Sequence, residues 1–301
     1  MSWRPAAQVT EVLPLNRRGG KGLLVSALRF LQRKPLGAGG AAVILLMVLM
    51  AAVAGVVSPY DPYETHFADN FRPPSAQYWL GTDQLGRDIF SRILHGARIA
   101  LLIGLSASFI GSTAGALLGI LSAYFGRGVD LSVQRVIDVL ASFPLLILAL
   151  TVVTLLGRSI PNIIIAIAIP IIPLSARVVR SNALAVKEFV YVDAARAIGA
   201  SHLRIMARHI LPNVVAPYLI ILTAQLGQAI LTEASLSFLG LGTPEPKPSW
   251  GLMLSNVSTL YGSAAPWMAV FPGIAISLAV FGFNLFGDAL RDVLDPRLRG
   301  R

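Results

Sequence analysis

The chain has 301 residues, 55% of them hydrophobic and 13% charged, and a mean hydropathy of +0.69, well below the charge fraction of about a quarter found in soluble domains. It carries no cysteine, which excludes a disulfide framework and thiol chemistry. The net charge of +10 does not point to nucleic acid, because the basic residues sit beside the ends of hydrophobic runs and not on a soluble domain.

Six apolar runs recur, near 37–58, 99–124, 132–156, 162–180, 214–236 and 268–289. Each approaches the roughly 20 helical residues needed to cross a ~30 Å hydrocarbon core. None alternates polar and apolar residues as a barrel strand does, so all are expected to be helices. Residues 1–36 form a basic tail. The run that follows, AAVILLMVLMAAVAG, has small residues at Ala52 and Ala54 that invite a signal-peptide reading. It is too long for an apolar signal core and its leader too long for a charged signal start, so it reads as a retained span.

The loop over 59–98 is acidic, with Asp61, Glu64, Asp69, Asp83 and Asp88, and Tyr78 and Trp79 suit a membrane interface, as do Trp250 and Trp267 in a later loop. Basic residues concentrate on the other side: Arg17, Arg18, Lys21, Arg127, Arg177, Arg180, Arg196, Arg208, Arg291 and Arg299 fall there. The positive-inside rule therefore expects both termini in the cytoplasm and the acidic loop outside.

In the second run, Gly111, Gly115 and Gly119 recur every four residues with Ala107 and Ala123 on the same face. This spacing lets helix backbones approach closely and predicts a packing seam. Pro144, Pro170, Pro173 and Pro217 fall inside later runs, where each removes a backbone donor. They read either as kinks in a bundle that moves or as breaks satisfied by neighbouring helices.

Chemistry of its own is missing. RRGGKGLL lacks the first glycine and the hydroxyl of a phosphate-binding loop, so no ATP hydrolysis is expected here. His66, His95, His202 and His209 are scattered without metal-ligand spacing, and no nucleophile elbow or paired carboxylates appear. Asp138 and Glu233 are the candidate intramembrane carboxylates for ion coupling, each near the end of its run. A bundle without an energy source suggests a subunit powered from outside; a stand-alone channel or secondary transporter is the alternative from another class.

The loop over 181–212, between the fourth and fifth runs, carries most of EFVYVDAARAIGASHLRIMARHILPN, Glu188 to Asn213. Its alanines favour a short helix with Val192, Ala195 and Ile198 as an apolar stripe, a turn at Gly199, and a second helix ending before Pro212, which would open the next span. A surface helix hung on two spans can be a lever for a gripping partner, or an ordinary basic hairpin near lipid head groups.

This stretch resembles the loop of ABC importer permeases with the pattern E-A-A, three residues, G, nine residues, then I-x-L-P. Here it reads Asp193-Ala194-Ala195, Gly199, Leu211-Pro212, with Asp193 replacing the glutamate and His209 the isoleucine. LGTDQLGRDIFSRILHGAR, ASLSFLGLGTPEPKPSWG and FNLFGDALRDVLDPRLRG look like the C-type permease subunit of oligopeptide, dipeptide and nickel importers, and the likeness runs from about residue 20 to the end. It implies an all-α membrane protein with six transmembrane helices in the type I ABC importer permease fold: a five-helix core over 99–290, and a tail over 291–301. It implies a bacterial inner membrane, a second related permease, two ATPase subunits that hold ATP and Mg, and an extracytoplasmic peptide-binding protein. No cofactor is implied for this chain. The helix around Asp193 would be the coupling helix, with Tyr191, Asp193, Ala194, Ala195, Gly199, Ser201, His209, Leu211 and Pro212 as the ATPase-coupling positions. Peptides are the implied cargo; nickel complexes, glutathione and other small solutes use similar permeases.

Overall fold

The structure is a computed structural model that describes residues 35–258 and 265–294; the expected N-terminal tail lies almost wholly outside the described residues, and so does most of the C-terminal one. The helices in order are α1 (Pro35–Val57), α2 (Ile89–Phe125), α3 (Arg127–Ala141), α4 (Leu145–Leu156), α5 (Ile160–Lys187), α6 (Val190–Ala197), α7 (His202–Ile205), α8 (Leu211–Phe238), α9 (Trp250–Ser258) and α10 (Trp267–Leu294). A π-helical turn, Met206–Ile210, joins α7 to α8. Among the described residues five helical segments are long and apolar enough to cross a membrane, or six if α3 and α4 count as one broken span.

Several expected boundaries shift, and α5 runs on to Lys187 where the fourth run was expected to end near 180. The second span begins at Ile89 and not near 99, because its first turns carry Arg92 and Arg98 and so lack the hydropathy that marks lipid. Asp88 caps it, accepting from Ser91 N at 2.8 Å. The third run, 132–156, is not one helix: α3 and α4 meet at 92°. Pro144, in extended backbone at the start of α4, removes the donor that would continue α3. α3 is amphipathic, while α4, with 12 residues, reaches only about 18 Å. The helix expected to stop before Pro212 instead continues through the π turn into α8, so that 202–238 is one 37-residue segment. Leu211 N–H bonds to Met206 O within that turn, an arrangement that absorbs the missing proline donor without ending the helix.

The frame is the long pairing of α2 with α5. Gly111, Gly115 and Gly119 line the seam: a Cβ at each would stand 2.5 Å from Ala168 O, 2.6 Å from Ile172 O and 2.5 Å from Ala176 O respectively. Only glycine lets these backbones come so close. α8 lies against α2, α5 and α10, and α1 against α10 and α2. α1 buries Gly37, Gly40, Met47 and Ala54 and leaves its other faces apolar and exposed, as a span facing lipid does. The buried side chains fall into three clusters, around Ile93, Ile230 and Trp250 at one end, Ile103 and Ile167 in the middle, and Ile120, Val179 and Ile205 at the other.

The end that carries α6 and α7 is rich in arginine and is called the basic end below. The opposite end carries the loop over 58–88 and the segment 239–249. That loop has no long element, yet it is tied inward. Asp83 accepts from Leu85 N at 2.8 Å, Arg87 N at 3.0 Å and Arg87 Nε at 2.6 Å, Arg92 donates to Pro62 O at 2.8 Å, and Trp267 Nε1 donates to Thr82 O at 3.2 Å. Asp83, Arg87 and Arg92 are all buried, where a charged pair is tolerated only with such hydrogen bonding.

Candidate functional site

The basic end is built on α2, α5 and α8, which hold the segment 188–210 between them. α6 has eight residues and forms because alanines fill it and no proline interrupts it. It buries Val192 and Ala195 against the inner turns of α2 and α5. Its end is a Schellman closure: Ala200 N–H reaches Ala195 O at 3.0 Å and Gly199 N–H reaches Arg196 O at 2.9 Å. That closure needs a left-handed residue, and Gly199 supplies it at φ +80. Ser201 then caps α7, accepting from Arg204 N at 3.4 Å.

Asp193 and Ala194 are exposed, and Asp193 pairs with Arg196 at 2.8 Å. Tyr191 is accepted as a partner by Asn213, whose amide donates to the Tyr191 hydroxyl at 3.1 Å and to His209 O at 2.7 Å, so the start of α6 is fastened to the start of α8. The Tyr191 and His209 rings lie 6.0 Å apart. Leu211 and Pro212 are exposed on the first turn of α8. The positions thus share one end of the bundle, while Gly111, Gly115 and Gly119 lie apart from them in the α2–α5 seam.

Several groups at this end left no readable spacing in the sequence. Buried Tyr124, near the end of α2, bonds His202 Nδ1 through its hydroxyl at 2.7 Å, and the Arg196 guanidinium lies 5.8 Å over the Tyr124 ring. Asp130 of α3 takes two hydrogen bonds from Arg180 of α5, at 2.7 and 2.6 Å, and also accepts from Ser122 of α2. Lys187 Nζ donates to Ala123 O at 3.1 Å. These contacts lock α2, α3 and α5 to one another directly behind α6. Their sequence separations, 50 residues for the Arg180 pair and 78 for the histidine, put them beyond local pattern reading.

α6, α7 and the turn between them expose apolar side chains among charged ones. Val190 and Ile198 are each 84% exposed and Leu203 is 73% exposed, among Asp193, Arg196, Arg204 and Arg208. An apolar tip inside a charged rim is the composition of a surface that a protein partner covers.

The two candidate carboxylates are both satisfied. Asp138 pairs with Arg177 at 2.7 Å in an exposed setting. Glu233 is buried, and its Oε1 accepts from Ser237 at 2.7 Å, Ser249 at 2.9 Å and Thr243 at 3.1 Å. It fastens the segment after α8 to the bundle, a role that the run ASLSFLGLGTPEPKPSWG does not reveal until Thr243 and Ser249 fold back. Among the described residues no group of three or more His, Asp or Glu side chains could hold a metal ion.

The chain matches the family described as binding-protein-dependent transport system inner membrane component over residues 115–300. It also matches the N-terminal TM domain of oligopeptide transport permease C over residues 22–74. It therefore belongs to the family of inner-membrane permease components of binding-protein-dependent ABC transport systems, a multi-pass component whose work is not catalytic. A putative peptide transport system permease protein of Brucella suis is 44% identical over 280 residues, 93% of this chain and 94% of that one. A dipeptide transport system permease of Alkalihalophilus pseudofirmus is 41% identical over 273 residues, 91% and 90% of the two chains. A glutathione transport system permease of Escherichia coli O6:K15:H31 is 45% identical over 273 residues, 90% of each. A chain of the MetNI methionine ABC transporter, solved in inward-facing conformations, superposes with a TM-score of 0.54 over 68% of this chain and 96% of that one at 18% identity, a likeness in fold.

Proposed function

We propose that this permease carries short peptides into the cytoplasm, that its basic end faces the cytoplasm with both termini, and that α6 is the helix through which ATPase subunits drive it. The observation that carries the last point is the uncovered tip. Val190 at the start of α6, Ile198 just past its end and Leu203 on α7 stand in solvent, and exposed apolar groups of this kind call for a partner surface. Closing that surface in a groove on an ATPase would attach the ATPase to α5 and α8 at once, because Tyr191 and Asn213 join the two ends of the hairpin. Motion of α6 would then reach α2 through Arg196 over the Tyr124 ring, and motion of α7 through the bond of His202 to Tyr124.

The peptide assignment draws on relatives named as peptide, dipeptide and glutathione permeases, whose cargoes share amide backbones. A second permease would complete the pathway, two ATPases would hold ATP and Mg, and an external binding protein would deliver cargo. The arginine-rich end supports the orientation, since positive loops remain inside.

The test is purification of the tagged chain in mild detergent from its native membrane, identification of the accompanying proteins by mass spectrometry, and uptake by the reconstituted complex. The expected result is a second permease, two ATPases, and ATP-dependent dipeptide uptake that competing dipeptides suppress and nickel does not. A chain that purifies alone and transports without ATP would overturn the reading.

A further inference from the structure

Where α8 packs against both α5 and α10, the wedge between those two helices stays open at the basic end as a cavity of about 1020 Å³. Its floor is apolar, from α8 residues such as Ile220. Its walls are not. Ser181 and Asn182 of α5 face it from one side, and Asn284, Asp288 and Arg291 of α10 from the other. Asn284 falls within the apolar segment Trp267–Leu294, which is long enough to cross a membrane, about 15 Å along the helix before Leu294. Polar side chains within such a segment line water, a pathway or another protein surface, because lipid cannot satisfy them.

The wall chemistry narrows the occupant. A carboxamide offers both a donor and an acceptor. Asn182 donates an amide N–H to Val178 O at 2.9 Å, and its oxygen accepts no bond among the described residues, so this cavity-lining side chain keeps an acceptor to offer. Asn284 lies back over Gly227, where an added Cβ would stand 2.9 Å from its Oδ1. Carboxamides on the two opposite walls of one trough suit the alternating N–H and C=O groups of a peptide backbone, whatever its side chains. Asp288 and Arg291, one turn apart, offer one charge of each sign. The volume lies at the top of the ~300–1,000 Å³ range of small-molecule sites, roomy enough for a short peptide with water.

We propose that this cavity is a cargo subsite on the cytoplasmic side of the pathway, in which Asn182 and Asn284 hydrogen-bond the backbone of a short peptide and Asp288 and Arg291 face its charged ends. This rests on the peptide reading above.

The absence of cysteine in the chain makes the test direct. Asn182→Cys and Asn284→Cys are introduced singly into the full chain and the assembled importer is studied in inside-out vesicles. Labelling of this chain by a membrane-impermeant thiol reagent is followed by mass, with and without millimolar dialanine. The expected result is that both positions label and that dialanine slows labelling several-fold, while N-acetyl-dialanine amide, lacking both charges, protects less. Asp288→Asn combined with Asn284→Cys should lessen the advantage of the free amino end. Labelling that dialanine leaves unchanged, in an importer that still takes up dialanine, overturns the subsite alone. Positions that resist labelling and crosslink instead to the second permease show that a helix of that subunit fills the wedge, and also overturn it. An importer that takes up no peptide overturns the cargo reading and this inference with it.

Discussion

Replacing Gly199 tests the coupling segment most economically, because the structure separates its two requirements. The residue sits at φ +80, and a Cβ there would meet nothing within 4 Å. Space is therefore irrelevant and backbone preference decides. An L-residue held in left-handed backbone costs about 1–2 kcal/mol, so Gly199→Ala should strain the Schellman turn by roughly that amount and Gly199→Asn by less, since asparagine tolerates this region. Gly199→Pro is of another kind: its ring fixes φ near about −65° and removes the N–H that reaches Arg196 O. The turn must then rearrange, and α6 tilts away from its seat under Val192 and Ala195. ATP-dependent uptake and ATP hydrolysis measured in reconstituted importer should fall in the order Gly, Asn, Ala, Pro, with proline near zero uptake and membrane insertion intact. Wild-type uptake by Gly199→Pro would refute the reasoning.

Three further outcomes follow from the packing and the loops. Gly115→Ala forces a Cβ to within 2.6 Å of Ile172 O and should cost about 1–3 kcal/mol as overpacking, whereas Gly273→Ala, with nothing within 4 Å, should be neutral or slightly stabilising; thermal unfolding in detergent checks both. Glu233→Ala strands the hydroxyls of Ser237, Thr243 and Ser249, at about 1–3 kcal/mol for a lost buried acceptor, and should raise hydrogen exchange over 239–249, while Glu233→Gln keeps an acceptor and should change it less. Burial, followed by the hydrogen bond to Asp69, pushes the Tyr78 phenol up from its ordinary value to about 12. Folding thus favours its neutral form, so its contribution to stability is complete below about pH 10 and is lost as pH rises toward 12. A difference titration of the wild type against Tyr78→Phe should show this phenol ionising well above its ordinary value of about 10.

The spans and the α6–turn–α7 hairpin were legible because lipid and backbone impose local rules. Hydropathy marks what lipid touches, a spacing of four marks a helix face, and a glycine between two helix-forming stretches marks a turn. Where a helix leaves the hydrocarbon, the same rule fails: Arg92 and Arg98 hid ten residues of α2, and Arg177, Arg180 and Lys187 hid the last turns of α5. Pro144 and Pro212 look alike in sequence but act differently. The first meets the end of an amphipathic helix and turns the chain by 92°, and the second is absorbed by a π turn, an outcome set by what packs around it. The contacts of Tyr124 with His202, of Asp130 with Arg180, and of Glu233 with Ser249 join residues far apart in the chain, so no local pattern announced them. In the family segment LGTDQLGRD, only the Asp83–Arg87 pair has a helix-like spacing to notice.

If α6 is the ATPase contact, the exposed Val190 and Ile198 at its two ends lie within reach of an ATPase subunit. A photo-activated crosslinker attached at Val190→Cys or Ile198→Cys, in a chain that has no other cysteine, reads this directly in native membranes. The expected result is one dominant product, an ATPase subunit of the same importer, whose yield changes when ATP is trapped. Crosslinks only to lipid, or to the second permease, would contradict it.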